Sequence, residues 1–147
     1  MSDRQTPTVL LIEDSDEDYE ATVRTFKKIG RAVEVRRCAD GDEALDLLFG
    51  RRPPAADWRS PQLILLDLNL PATDGRDVLI QLKQDARLRA IPVVILTTSA
   101  NGQDVAACYH DGANGYVLKP VNLDQFATLL RQVCDYWFGA VLLPEGV

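Results

Sequence analysis

Short, unbroken apolar runs alternate along this chain with stretches in which apolar residues recur at helical spacing. Val9-Leu10-Leu11-Ile12, opened by Thr8, is such a run and ends in Glu13-Asp14. Leu63-Ile64-Leu65-Leu66 ends in Asp67, Val93-Val94-Ile95-Leu96 in Thr97-Thr98-Ser99, and Gly115-Tyr116-Val117-Leu118 in Lys119-Pro120. The first three runs, unbroken by polar residues, predict strands of a parallel sheet covered on both faces, and the last predicts a fifth strand. Val33-Glu34-Val35-Arg36 alternates instead, as a half-exposed edge strand does.

The intervening stretches read as helices. Tyr19, Val23, Phe26 and Ile29 share one face before a stop at Gly30. Asp40-Gly41-Asp42 opens a helix with Ala44, Leu45, Leu47 and Leu48 inward. Asp74 is placed to cap a helix through Val78, Leu79 and Leu82. Val105, Ala106 and Tyr109 mark a short helix ended by Gly112, and a last helix is expected from about Asn122 to Trp137. "GRRPPAADWRSP", residues 50–61, is rich in proline and charge and reads as a surface loop.

Strands alternating with helices predict an α/β fold of (βα)5 type, a five-stranded parallel sheet with helices on both faces. Right-handed crossovers leave few topologies, and the flavodoxin-like order 2-1-3-4-5 is the one expected. There strands 1 and 3 are neighbours, and ligands bind at that switch point beyond the carboxyl ends of the strands. The order brings Glu13, Asp14, Asp67, Thr97 and Lys119 to one edge of the sheet. Three clustered carboxylates repel and raise one another's pKa. A hard divalent cation such as Mg2+ relieves that conflict with oxygen ligands. A carboxylate is then available as a nucleophile that forms an aspartyl phosphate, with Lys119 to neutralise the phosphoryl charge.

The remaining composition narrows the reading. At 147 residues one domain is expected. A net charge of -6 argues against a nucleic-acid surface. No apolar stretch is long enough to span a bilayer, and the polar start MSDRQTPT lacks the apolar core of a secretory signal, so a cytoplasmic protein is expected. Cys38, Cys108 and Cys134 form no CxxC pattern and read as buried thiols. His110 is the sole histidine and reads as a surface residue, which leaves no histidine triad or histidine metal site.

Four segments in order, "LLIEDS" at 10–15, "LLDLNLPATDG" at 65–75, "ILTTS" at 95–99 and "GYVLKP" at 115–120, resemble the response-regulator receiver domains of two-component signalling, the CheY-like family. The resemblance covers residues 7–137 and implies a role for each motif residue. Asp67 would accept the phosphoryl group. Asp14 would bind Mg2+ directly, Glu13 largely through water, and Asn69 through its backbone carbonyl. Lys119 would bind the phosphoryl oxygens, Thr97, with Thr98 beside it, would supply the switch hydroxyl, and Tyr116 would change rotamer with it. Pro120 would follow a cis peptide, and Pro71 and Gly75 would shape the loop after Asp67. Glu13 departs from the family's usual Asp, and the 50–61 loop is longer than minimal members carry.

The tail "DYWFGAVLLPEGV", residues 135–147, chiefly Tyr136-Trp137-Phe138-Gly139, resembles the small regulators that partner bacterial phytochrome histidine kinases. The resemblance implies a receiver over 7–137 and a tail over 138–147 without a separate output domain. A histidine kinase is the implied partner, with no nucleic acid and no membrane. The apolar tail and helix 5 also predict a homodimer through helix 4, strand 5, helix 5 and the tail, the competing expectation being a tail folded back on its own domain. A phosphatase or dehalogenase with a nucleophilic Asp is the other function class to weigh. Such enzymes carry DxDx(T/V) at strand 1, where this chain has "IEDSDED". A flavin binder would need a phosphate loop after strand 1, and none is present.

Overall fold

The computed structural model describes residues 6–145. The outermost parts of the polar start and of the apolar tail therefore lie outside the described residues. Five parallel strands, β1 (Thr8–Ile12), β2 (Glu34–Cys38), β3 (Leu63–Leu66), β4 (Val93–Thr97) and β5 (Gly115–Leu118), form one sheet in the order β2-β1-β3-β4-β5. This is the expected flavodoxin-like topology. The helices are α1 (Asp16–Ile29), α2 (Gly41–Leu48), α3 (Gly75–Gln84), α4 (Gly102–His110) and α5 (Leu123–Asp135).

The period of two along each strand splits the core in two. Leu10, Ile12, Ile64, Leu66, Val93 and Ile95 pack with side chains of α2 and α3 and with Cys108 of α4. Val9, Leu11, Leu63, Leu65, Val94 and Leu96 pack against Phe26 of α1 and Phe126, Leu130 and Val133 of α5. β1, β3 and β4 are buried throughout, which explains their unbroken apolar runs. All three cysteines are buried and unpaired, as expected.

Local signals set the element ends. The Ser15, Asp40, Asp74, Asn101 and Asn122 side chains each accept a hydrogen bond from a backbone N–H of the helix they precede. Gly30 closes α1 in the left-handed conformation, φ 74°. Gly75 is needed for another reason. A Cβ there would lie 2.1 Å from the Asp67 carbonyl oxygen, so α3 can start this close to the end of β3 only with glycine.

Two details depart from expectation. A 3-10 turn at Leu88–Ala90, not anticipated, precedes β4. The last α-helix ends at Asp135 rather than Trp137 and continues as a π-helical segment, Tyr136–Ala140. That segment turns Trp137 and Phe138 onto the α1–α5 side of the core. Arg31 donates to the Phe138 carbonyl and the Asp135 carboxylate, each at 3.5 Å. The start of the tail therefore folds back on its own domain, while Leu142 stays 90% exposed. The tail borders a cleft of about 620 Å3 lined by Pro7, Ala32, Gln62, Trp137, Val141 and Leu143. The 50–61 loop is tied to the edge strand by ion pairs, Asp57 to Arg36 at 2.6 Å and Arg59 to Glu34 at 2.5 Å. Among the described residues no helix is long and apolar enough to cross a membrane.

Candidate functional site

The register of the sheet builds the site. Ile12 of β1 lies beside Leu66 of β3, so Glu13 and Asp67 leave their strands side by side. Asp67 N–H still donates to the Ile12 carbonyl at 3.0 Å, and Glu13 N–H to that of Cys38 at 3.0 Å. Alternation turns both carboxylates toward the α1–α5 side. On β5, Tyr116 packs with the opposite core and Val117 with the α1–α5 core. Lys119, two residues beyond Val117, therefore points the same way as Glu13 and Asp67. Lys119 N–H donates to the Thr97 carbonyl at 2.7 Å, which carries the ladder past the end of β5.

The Lys119 ammonium is buried and donates to three carboxylates. They are Glu13 Oε1, in a very short contact, Asp18 Oδ2 at 2.9 Å and Asp67 Oδ2 at 3.3 Å. Glu13 Oε2 accepts from Ser15 N–H at 3.1 Å, so both oxygens of this carboxylate are engaged. Burial pushes the Glu13 carboxyl up to about 7, with Lys119 opposing the rise and the Asp67 charge adding to it. Burial alone would lower the Lys119 ammonium. The hydrogen bonds to Glu13 and Asp18 outweigh it and hold the pKa above the ordinary lysine range. Among the described residues no buried side-chain nitrogen or oxygen is left without a hydrogen-bond partner.

Carboxylate oxygens of Glu13, Asp14 and Asp67 lie within 4.8 Å of one another, with Asp14 exposed and the other two buried. An all-oxygen set of this kind fits a hard divalent cation. Asn69 is exposed beside it, and its N–H approaches Asp67 Oδ1 at 3.4 Å.

Thr97 falls on the other side of the alternation, with Val93 and Ile95, and is fully buried. Its hydroxyl oxygen lies 3.4 Å from Ser99 N–H. Thr98 is exposed. Tyr116 donates its hydroxyl to the Ser99 carbonyl at 2.7 Å. Pro71 and Gly75 bound the turn after Asp67, in which Ala72 takes φ 61°. The expected cis peptide is absent: no peptide among the described residues is cis, so Lys119–Pro120 is trans. The two isomers of an X–Pro bond differ by only about 0.5–1 kcal/mol, and the residue types alone do not choose between them.

Two parts of the site escape sequence reasoning. Asp18 joins Lys119 across 101 residues of chain. Its only mark in the sequence is its place in an acidic run one helical turn beyond Asp14. Beyond Thr97 and Tyr116 lies a polar cluster. Ser99 Oγ donates to Asp104 at 2.7 Å, and Arg76 bridges Asp104 and Asp74. No local pattern announces it, since its members come from two separate segments, 74–76 and 99–104.

This set of acid pocket, buried lysine and strand-end threonine on a 2-1-3-4-5 sheet defines a receiver. The family model for the response regulator receiver domain matches residues 9–131, and the chain belongs to that family. Among curated proteins it is 38% identical to the response regulator Rcp1 of Synechocystis sp. over 148 aligned residues, covering 99% of this chain and 100% of that one. The crystal structure of the Mn(2+)-bound form of Rcp1 superposes with a TM-score of 0.88 at 37% identity, covering 95% of this chain and 99% of that one. The phosphorylated cyanobacterial phytochrome response regulator RcpA superposes with a TM-score of 0.90 at 35% identity, covering 96% and 100%.

Proposed function

We propose that this receiver takes a phosphoryl group onto Asp67 from a phosphohistidine of a histidine kinase, with a divalent cation held at Glu13, Asp14, Asp67 and the Asn69 carbonyl. The observation that carries the reading is the convergence of three carboxylates and one buried ammonium at the carboxyl edge of the sheet. A bound Mg2+ would neutralise carboxylate and phosphoryl charge. The protein's own groups divide the remaining work. An Asp67 carboxylate oxygen attacks phosphorus as the phosphorus–nitrogen bond to the donor breaks, which leaves an acyl phosphate. Glu13, engaged at both oxygens, shapes the pocket, while exposed Asp14 is open to a direct ligand role. Lys119 gives its contact with Asp67 over to the phosphoryl oxygens. Thr97 turns its hydroxyl toward the phosphoryl group, and Tyr116 exchanges its bond to the Ser99 carbonyl for a new rotamer.

The likeness to Rcp1 and RcpA supports a bacterial phytochrome kinase as the donor. The negative net charge supports protein rather than nucleic-acid partners, and the protein acts in the cytoplasm. Exposed Tyr109, Leu118 and Leu123 on α4, β5 and α5, with Tyr136 and Leu142 beyond, support a homodimer on that face. Sedimentation of the full chain and of a chain cut after Asp135 tests the dimer. A full chain that stays monomeric with and without phosphodonor overturns it.

Incubation with acetyl phosphate and Mg2+ followed by intact-mass measurement tests the phosphoacceptor. A gain of one phosphoryl group in the wild type and none in Asp67→Asn is expected. Equal labelling of both, or continuous turnover of an organic substrate, overturns the reading in favour of another acceptor or a hydrolase.

A further inference from the structure

Asp18 lies outside the group of residues that the acceptor reading needs. Its carboxylate does not belong to the trio whose oxygens converge on one point. It reaches Lys119 instead, at 2.9 Å, closer than Asp67 at 3.3 Å. An ammonium has three N–H donors. Here each faces a carboxylate, those of Glu13, Asp18 and Asp67. Asp18 is also held in place. Its N–H donates to the Ser15 hydroxyl at 3.2 Å, and its carbonyl accepts from the Thr22 hydroxyl at 2.7 Å.

We propose that Asp18 is a positioning residue that holds Lys119 in the resting state and competes with the phosphoryl group for its ammonium, which limits the stability of the phosphorylated form. The inference rests on the acceptor reading above. In the resting state Asp18 gains a charge-assisted bond to a buried cation. After phosphoryl transfer, Lys119 must also serve oxygens that carry more negative charge than a carboxylate. The Asp18 carboxylate then shares one cation with that group, and the two anions repel. The Asp18 contact thus favours one state over the other, which is the condition for shifting a two-state equilibrium. The Asp18 side chain is 29% exposed, so the repulsion is partly screened by solvent.

The test uses the full chain with beryllofluoride and Mg2+ as the phosphoryl stand-in, and with acetyl phosphate to follow loss of the acyl phosphate. Asp18→Asn, which keeps the shape and removes the charge, is expected to bind beryllofluoride about fivefold tighter and to hold its phosphoryl group correspondingly longer. Asp18→Ser is the second neutral variant and is expected to move the same way. Asp18→Glu, which restores the charge, is expected to stay near wild type. Affinity for Mg2+ alone should change far less in Asp18→Asn than in Asp14→Asn. A folded Asp18→Asn or Asp18→Ser with unchanged or weaker beryllofluoride binding overturns the proposal, as does an Asp18→Glu that behaves like the neutral variants. A wild type that binds no beryllofluoride and takes no phosphoryl group overturns the acceptor reading itself, a separate and distinguishable result.

Discussion

The guanidinium of Arg76 grips the carboxylate of Asp104 through two parallel hydrogen bonds, Nε to Oδ1 and Nη2 to Oδ2, each 3.0 Å long. Arg76 stands in the first turn of α3, just after the Asp67 turn, and Asp104 in the first turn of α4. Arg76 and then Ser99 hold the Asp104 carboxyl below the usual carboxylate range. The pair therefore clamps the β4–α4 junction, where Thr97 and Ser99 lie, against the element that follows Asp67. On the proposed function, a switch that moves Thr97 has to strain this clamp. Arg76→Gln is expected to lower the half-saturating phosphodonor concentration by about fivefold, the low end of ordinary allosteric coupling. Asp104→Asn should do the same, and the double variant no more than either alone. Titration with acetyl phosphate checks it, and additive effects would show that the two residues act separately.

Lys119 balances more negative charge than any other cation of the site. Lys119→Ala leaves Glu13 and Asp67 buried together without a counter-charge. We expect it to lower stability by about 3 kcal/mol without metal. Mg2+ should restore much of the loss by supplying the missing positive charge. Urea unfolding with chelator and with Mg2+ decides it. Equal loss in both would assign Lys119 a packing role.

The pH dependence follows from Glu13. Its carboxyl is raised in the folded state from 4.5 to about 7, so over that window the native protein holds a proton that the unfolded chain has released. Stability without metal should therefore fall as pH rises through the window, by on the order of 2 kcal/mol. Glu13→Gln carries no titrating group and should flatten the slope. Thermal unfolding in chelator at the two ends of the window measures both. A wild type as stable at the upper end as at the lower would contradict the assignment.

Ala72 holds φ 61° in the turn between Asp67 and α3, a conformation that costs a residue with a Cβ roughly 1 kcal/mol. Ala72→Gly is expected to raise stability by about 0.5 kcal/mol, the strain relieved less the extra entropy of the unfolded glycine. A lower denaturant midpoint in the variant would mean that the Ala72 methyl group makes contacts worth more than its strain.

Much of this was readable from residue order alone, because burial on both faces leaves its mark strand by strand. The buried runs of β1, β3 and β4, the half-exposed β2 and the glycine after α1 each carry a local signature. Glu13, Asp67 and Lys119 could be brought together without coordinates because the sheet order makes neighbours of their strands. Asp18 could not. Its partner is set by the angle at which α1 lies across the sheet, which no local pattern encodes. Arg76 and Asp104 meet for a similar reason, through the packing of two helices. The trans Lys119–Pro120 bond and the π-helical end of α5 turn on energy differences too small for residue type to decide.

The alternation that places Glu13, Asp67 and Lys119 on one side of the sheet and Thr97 and Tyr116 on the other makes the sheet a partition one strand thick. On the proposed function, phosphorus chemistry occupies one room and the readout the next. A threonine hydroxyl and a tyrosine ring at the open end would pass news between them. A kinase bound against α1 and a target bound against α4 and β5 would then not contest the same doorway, and donor and listener could attend to one molecule at once.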